Sequence, residues 1–149
     1  MYITVLTLHS YIRWLVLAVM LYALIRAWWG LICKREWTKA DDRAALAFTM
    51  IISVQFILGV ILYLLPVGLA QVARQNFSAA MKVPELRFFG LEHPLQMIIA
   101  LTVVHLGSAR ARKAHPSARQ FRWAATCFTI ATLLILSAVP WWRPLFRGF

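Results

Sequence analysis

Apolar residues fall along this chain in four long runs separated by short polar connectors. The first runs from Tyr2 to Ile32 and is broken by His9, Arg13 and Arg26. The second, Ala44 to Leu65, has Gln55 as its most polar interior residue, and the third, Phe88 to Gly107, carries Glu92, His93 and His105. The fourth runs from Trp123 to Trp142. At 1.5 Å rise per residue, about 20 apolar residues cross the hydrocarbon core of a bilayer, so each run is long enough to span. The pattern predicts an all-α protein, a transmembrane four-helix bundle forming a single membrane domain over residues 1–149. The expected spans are about 5–30, 44–66, 88–108 and 122–142.

Punctuation between the runs supports that division. Thr38 or Asp41 can cap the second helix, and Pro66 and Gly68 mark its end. Within the long middle connector, Ala70 to Lys82 is amphipathic enough for a short interfacial helix. Pro94 sits near the start of the third run, so the chain either kinks there or begins its span close to His93. Trp141 and Trp142, before Arg143 and Pro144, read as an interfacial anchor. The first run lacks Lys or Arg before its apolar core and lacks a small-residue cleavage site after it, so a retained helix is expected.

Composition agrees. Apolar residues make up 62% of the 149 residues and charged residues 14%, and the mean hydropathy is +0.70. Soluble domains run at about 45–50% and 25%, so a soluble fold of this size could not bury so much apolar surface. The net charge of +11 does not point to nucleic acid, because the cations lie between apolar runs, where they set topology and meet anionic headgroups. Nine Lys and Arg occupy the first and third connectors: Lys34, Arg35, Lys39, Arg43, Arg110, Arg112, Lys113, Arg119 and Arg122. The opposite side carries five, namely Arg74, Lys82, Arg87, Arg143 and Arg147. The positive-inside rule then predicts an N-out/C-out arrangement. Cys33 and Cys127 form no metal-binding spacing and are read as free thiols at the cytoplasmic ends of their helices.

Ionisable groups at membrane depth cost roughly 2.5–3.5 kcal/mol each at a helix centre, which makes them functional candidates. Arg26 is near enough to the first connector to snorkel. His105 has a bland reading, near headgroups or bonded to a neighbouring helix. His9 and His93 differ, because helices one and three run parallel and bring both within roughly 10 Å of the outer helix ends. Two imidazoles at matched depth can ligate a b-type haem from its two faces. Gly59 on helix two, with Ser137 and Ala138 on helix four, offers small residues at that level. Arg13, one turn from His9, can meet a propionate, as can Arg87 and Arg143 near the same surface. Glu92 can orient an imidazole or pair with Arg13 or Arg87. The same polar groups can equally serve as interhelical contacts with no cofactor.

The stretches Leu8-His9-Ser10-Tyr11-Ile12-Arg13-Trp14, Met81-Lys82, Leu86-Arg87-Phe88-Phe89 with Glu92-His93, and Ala138-Val139-Pro140-Trp141 resemble a group of small bacterial four-helix membrane proteins labelled cytochrome-b-like. The resemblance implies His9 and His93 as ligands to haem iron, with Arg13, Arg87 and Glu92 in support. It implies no reaction. Pro94 departs from the group's pattern, in which an apolar residue follows the histidine.

Three functional classes therefore stand. The first is a haem-b electron-transfer or accessory subunit of a respiratory or photosynthetic complex, with lipid, other subunits and quinone as its partners. The second is a non-haem accessory or assembly subunit of a larger membrane complex. The third is a small transporter or metal-handling protein. No nucleotide-binding or triad motif is present, so stand-alone catalysis is not expected.

Overall fold

A computed structural model of the protein describes residues 1–143. Pro144 and Arg147, counted above with the C-terminal tail, lie outside the described residues. Four helical spans are long and apolar enough to cross a membrane: Tyr2–Ile32, Lys39–Leu64, Pro84–Lys113 and Ser117–Ala138. We label the elements α1 (Tyr2–Ile32), α2 (Lys39–Leu64), α3 (Leu69–Gln75), α4 (Phe77–Ala80), α5 (Pro84–Arg87), a π-helical turn (Phe88–Glu92), α6 (His93–Lys113) and α7 (Ser117–Ala138). The spans pack in a ring, α1 against α2 and α7, and α6 against α2 and α7.

The helices overrun the apolar runs, so the first connector shrinks to residues 33–38 and the third to 114–116. Local chemistry sets the start of α2. The Asp41 carboxylate accepts from the Thr38 backbone N–H at 2.9 Å and from its hydroxyl at 2.7 Å, starting the helix at Lys39. The middle connector forms two short helices, α3 and α4, where one was expected. Asn76 divides them, its side chain accepting from the Ala79 N–H at 3.1 Å.

The bundle turns its small residues inward and its large apolar ones outward. Ala124, Ala125 and Ala131 of α7 are buried against Ala100 and Ala111 of α6, Ala23 and Ala27 of α1, and Ala44 and Ala45 of α2. Leu21, Ile25, Met50, Ile57 and Leu133 are exposed. In a bilayer there is no hydrophobic drive between helices, so close backbone approach through small side chains takes over. Phe48 and Phe128 fill the centre edge to face, with centroids 5.3 Å apart. Gly107 lies directly against Cys127, which is buried near the middle of α7 and not at its end. Replacing Gly107 with valine is expected to cost about 1–3 kcal/mol by overpacking, read as an earlier unfolding midpoint in detergent. An unchanged midpoint would mean that this helix pair is not closely packed.

At the connector end, α1 and α2 are tied by a buried charge. Arg26 donates to Asp41 Oδ1 through Nε at 2.9 Å and Nη2 at 2.7 Å, and Arg35 approaches the same oxygen at 3.5 Å. Arg26 therefore does not snorkel to headgroups. The early start of α2 turns Asp41 inward to meet it. His105 bonds to a neighbouring helix, its Nε2 lying 3.0 Å from Ser53 Oγ of α2.

Candidate functional site

The third span reaches His93 through a deviation that its sequence imposes. Pro94 has no N–H for the carbonyl four residues before it, and its ring crowds that carbonyl. The helix answers by widening over Phe88–Glu92, where the His93 N–H reaches back to the Phe88 carbonyl. The Gly90 carbonyl, left without the proline's N–H, accepts from the Tyr63 hydroxyl of α2 at 3.1 Å. The chain passes from α5 into α6 without a break, and His93 opens α6.

His93 then faces the bundle interior. Its Nδ1 lies 2.8 Å from the carbonyl of Ala138, the last residue of α7. A carbonyl only accepts, so Nδ1 carries the proton and donates, leaving Nε2 as the nitrogen with a lone pair. Phe88 and Phe89 flank the ring, with centroids 5.7 and 6.4 Å away.

Across from it stands His9 of α1. The two imidazole centroids are 6.5 Å apart and the ring planes are inclined at 73°. Gly59 of α2 faces His9: a Cβ there would be in contact with the ring, 3.4 Å from its Cε1. Gln55, buried on α2, donates through Nε2 to the His9 carbonyl at 2.9 Å and fixes the register of α1 against α2. Nδ1 of His9 is buried with no hydrogen-bond partner among the described residues, so the ring carries an unmet polar requirement beside His93.

Both histidines line a cavity of about 470 Å³, which also receives Arg13, Gly59, Tyr63 and Arg143. Its volume falls within the roughly 300–1,000 Å³ typical of ligand and cofactor sites. The remaining wall is mostly aliphatic and aromatic, and no carboxylate lines it among the described residues. Its polar groups are thus imidazoles, amide and hydroxyl groups, and the guanidinium groups of Arg13 and Arg143. The second of these also pairs with Glu85 and lies 4.8 Å from the centroid of Phe89.

Of the residues expected from the sequence, the fold brings His9, His93, Arg13, Gly59 and Arg143 to one cavity, with Ala138 in its wall. Arg87 and Glu92 are elsewhere. They pair with each other at 2.7 Å, both about two-fifths exposed, and neither lines the cavity. Glu92 accordingly orients no imidazole, and the Ala138 carbonyl does so instead. The Ser137 hydroxyl turns back to the Leu134 carbonyl of its own helix. Gln55 and Tyr63 were not expected at the site. Gln55 stood out only as a polar residue inside an apolar run. Tyr63 could have been found from the proline that leaves the Gly90 carbonyl without a donor.

Groups of three or more metal-ligating side chains do not form among the described residues, so any metal here would be held by the two imidazoles and a further ligand of its own. Against protein-family models, curated proteins and solved structures, the chain finds no match, and the site is read from its own geometry.

Proposed function

We propose that the protein is a haem-b-binding membrane protein in which His9 and His93 ligate the iron from opposite faces. The observation that carries this reading is the imidazole separation. Metal–imidazole bonds are about 2 Å long, so two axial imidazoles on one iron have centroids roughly 6–6.5 Å apart. The pair here stands at 6.5 Å across a cavity. His9 and His93 would be the residues that hold the iron, their ring planes being inclined at 73°.

The surroundings support the same assignment. The bond from His93 to the Ala138 carbonyl sets the tautomer that ligation needs, as outer-shell partners of metal-bound histidines do. Gly59 of α2 lies beside the His9 ring in the same wall. Arg13 and Arg143 supply positive charge to carboxylates entering an otherwise apolar cavity. Bound there, haem would supply one-electron exchange. The residues around it would hold it, keep water out and balance its carboxylates. We assign the protein on this basis to electron transfer, as a subunit or accessory of a respiratory or photosynthetic complex in a bacterial inner membrane.

The test is the visible spectrum of the detergent-purified protein from haem-replete cells. Reduction is expected to give the sharp alpha band of a six-coordinate b-type haem at about one haem per chain. A colourless preparation overturns the reading and leaves the polar cluster as interhelical contacts of a non-haem subunit.

A further inference from the structure

The cavity is closed toward the end of the bundle. There α3 lies over it, with Ala73 packed on Gly90, and Arg74 donates to the Leu64 and Leu65 carbonyls at 3.3 Å each. Tyr2 closes against Gly68, whose φ of +95° allows the turn into α3 and leaves no room for a Cβ, which would sit 2.6 Å from the Tyr2 hydroxyl. On the sides formed by α1 and α7, every lining residue is buried or half-buried.

The wall between α2 and α6 is different. Four of the five exposed liners lie on these elements: Val60 on α2, Leu91 in the π-helical turn, and Leu95 and Ile98 on α6; the fifth, Val67, is in the connector beyond α2. Leu91, Leu95 and Ile98 follow a spacing of four and three, so they form one stripe along the helix. Leu95 and Ile98 are each 49% exposed. Side-chain ties cross this seam above and below the stripe, Tyr63 to Gly90 at 3.1 Å and Ser53 to His105 at 3.0 Å. Ser53 and Tyr63 are separated along α2 by about 15 Å at 1.5 Å per residue.

We propose that this seam is a lateral window and that haem enters the cavity through it from the bilayer. The inference rests on the haem reading. It follows from where the opening faces: an exposed, wholly aliphatic rim meets hydrocarbon, while the water-facing end is capped. The apolar body of the macrocycle would move from lipid into the cavity without crossing water, and its carboxylates would meet Arg13 or Arg143 on arrival.

The test uses the full chain with V60C and L95C, and with C33S and C127A to remove the native thiols, purified from haem-limited cells and reconstituted in vesicles. A short reagent that joins two thiols through disulfide bonds bridges the window. Haem is then supplied from a second vesicle population, and the growth of the haem absorbance is followed. Bridging is expected to slow uptake at least tenfold, and a reductant that releases the bridge is expected to restore the rate of the same protein. Equal rates before and after bridging overturn the window while leaving the haem reading intact. Absence of uptake by the wild-type chain also overturns the window, whereas the haem reading itself is overturned only by a colourless preparation from haem-replete cells.

Discussion

Replacing His93 with alanine is expected to abolish the b-type haem spectrum, with the band falling below a tenth of its wild-type intensity per mole of protein. Under the proposed ligation this change removes one of two protein bonds to the metal and also the donor to the Ala138 carbonyl. The second loss leaves the carbonyl of buried Ala138 without its donor and costs about 1–3 kcal/mol, too little to unfold the bundle. Fold and function are therefore separable. Helical content and monodispersity in detergent are expected to stay near wild type while the spectrum is lost. Added imidazole is expected to recover part of the band, because it supplies the missing nitrogen in the space that the side chain leaves. Structural damage would not respond to imidazole. His9→Ala is expected to behave likewise. A full wild-type spectrum in either variant would remove that histidine from the ligand set.

Asp41→Ala is expected to destabilise the protein by about 3–5 kcal/mol, the usual cost of removing one partner of a buried ion pair. The side chain is only 2% exposed and its two oxygens accept four hydrogen bonds, two from Arg26 and two from Thr38. Its loss leaves Arg26 and Arg35 facing each other without an anion and removes the cap of α2. Thermal unfolding in detergent measures the effect. If the midpoint shifts by less than the equivalent of 1 kcal/mol, the two arginines can reach water or headgroups on their own. The haem spectrum of surviving folded protein is expected to be unchanged, since Asp41 lies at the other end of α1 and α2 from His9 and Gly59.

These outcomes bear on opposite ends of one bundle, and the ends differ in how they are specified. Arg26 and Asp41 are fifteen residues apart on separate helices, and nothing in their spacing links them. Their pairing depends on α2 beginning at Lys39, ahead of its apolar run, so that Asp41 points inward. The partners of Glu92 and His93 were likewise open. A carboxylate beside an imidazole in sequence suggests a bond between them, but neighbours along a helix point about 100° apart. Glu92 turns out to Arg87, while His93 turns in to a carbonyl at the end of α7.

What the sequence by itself determined is the set of four spans and the shared depth of His9 and His93. Apolar runs of about 20 residues or more have few stable outcomes, since a bilayer demands that every backbone group be bonded within the helix. Parallel first and third helices then bring equal depths together. The tertiary structure decided which groups face one another: the 6.5 Å imidazole pair, the Tyr63 bond that answers Pro94, the window between α2 and α6 and the exclusion of Arg87 and Glu92 from the cavity. Depth along a helix follows from counting residues, whereas rotation about its axis is set by how small side chains let neighbouring backbones close, and these apolar helices carry little periodicity to reveal it.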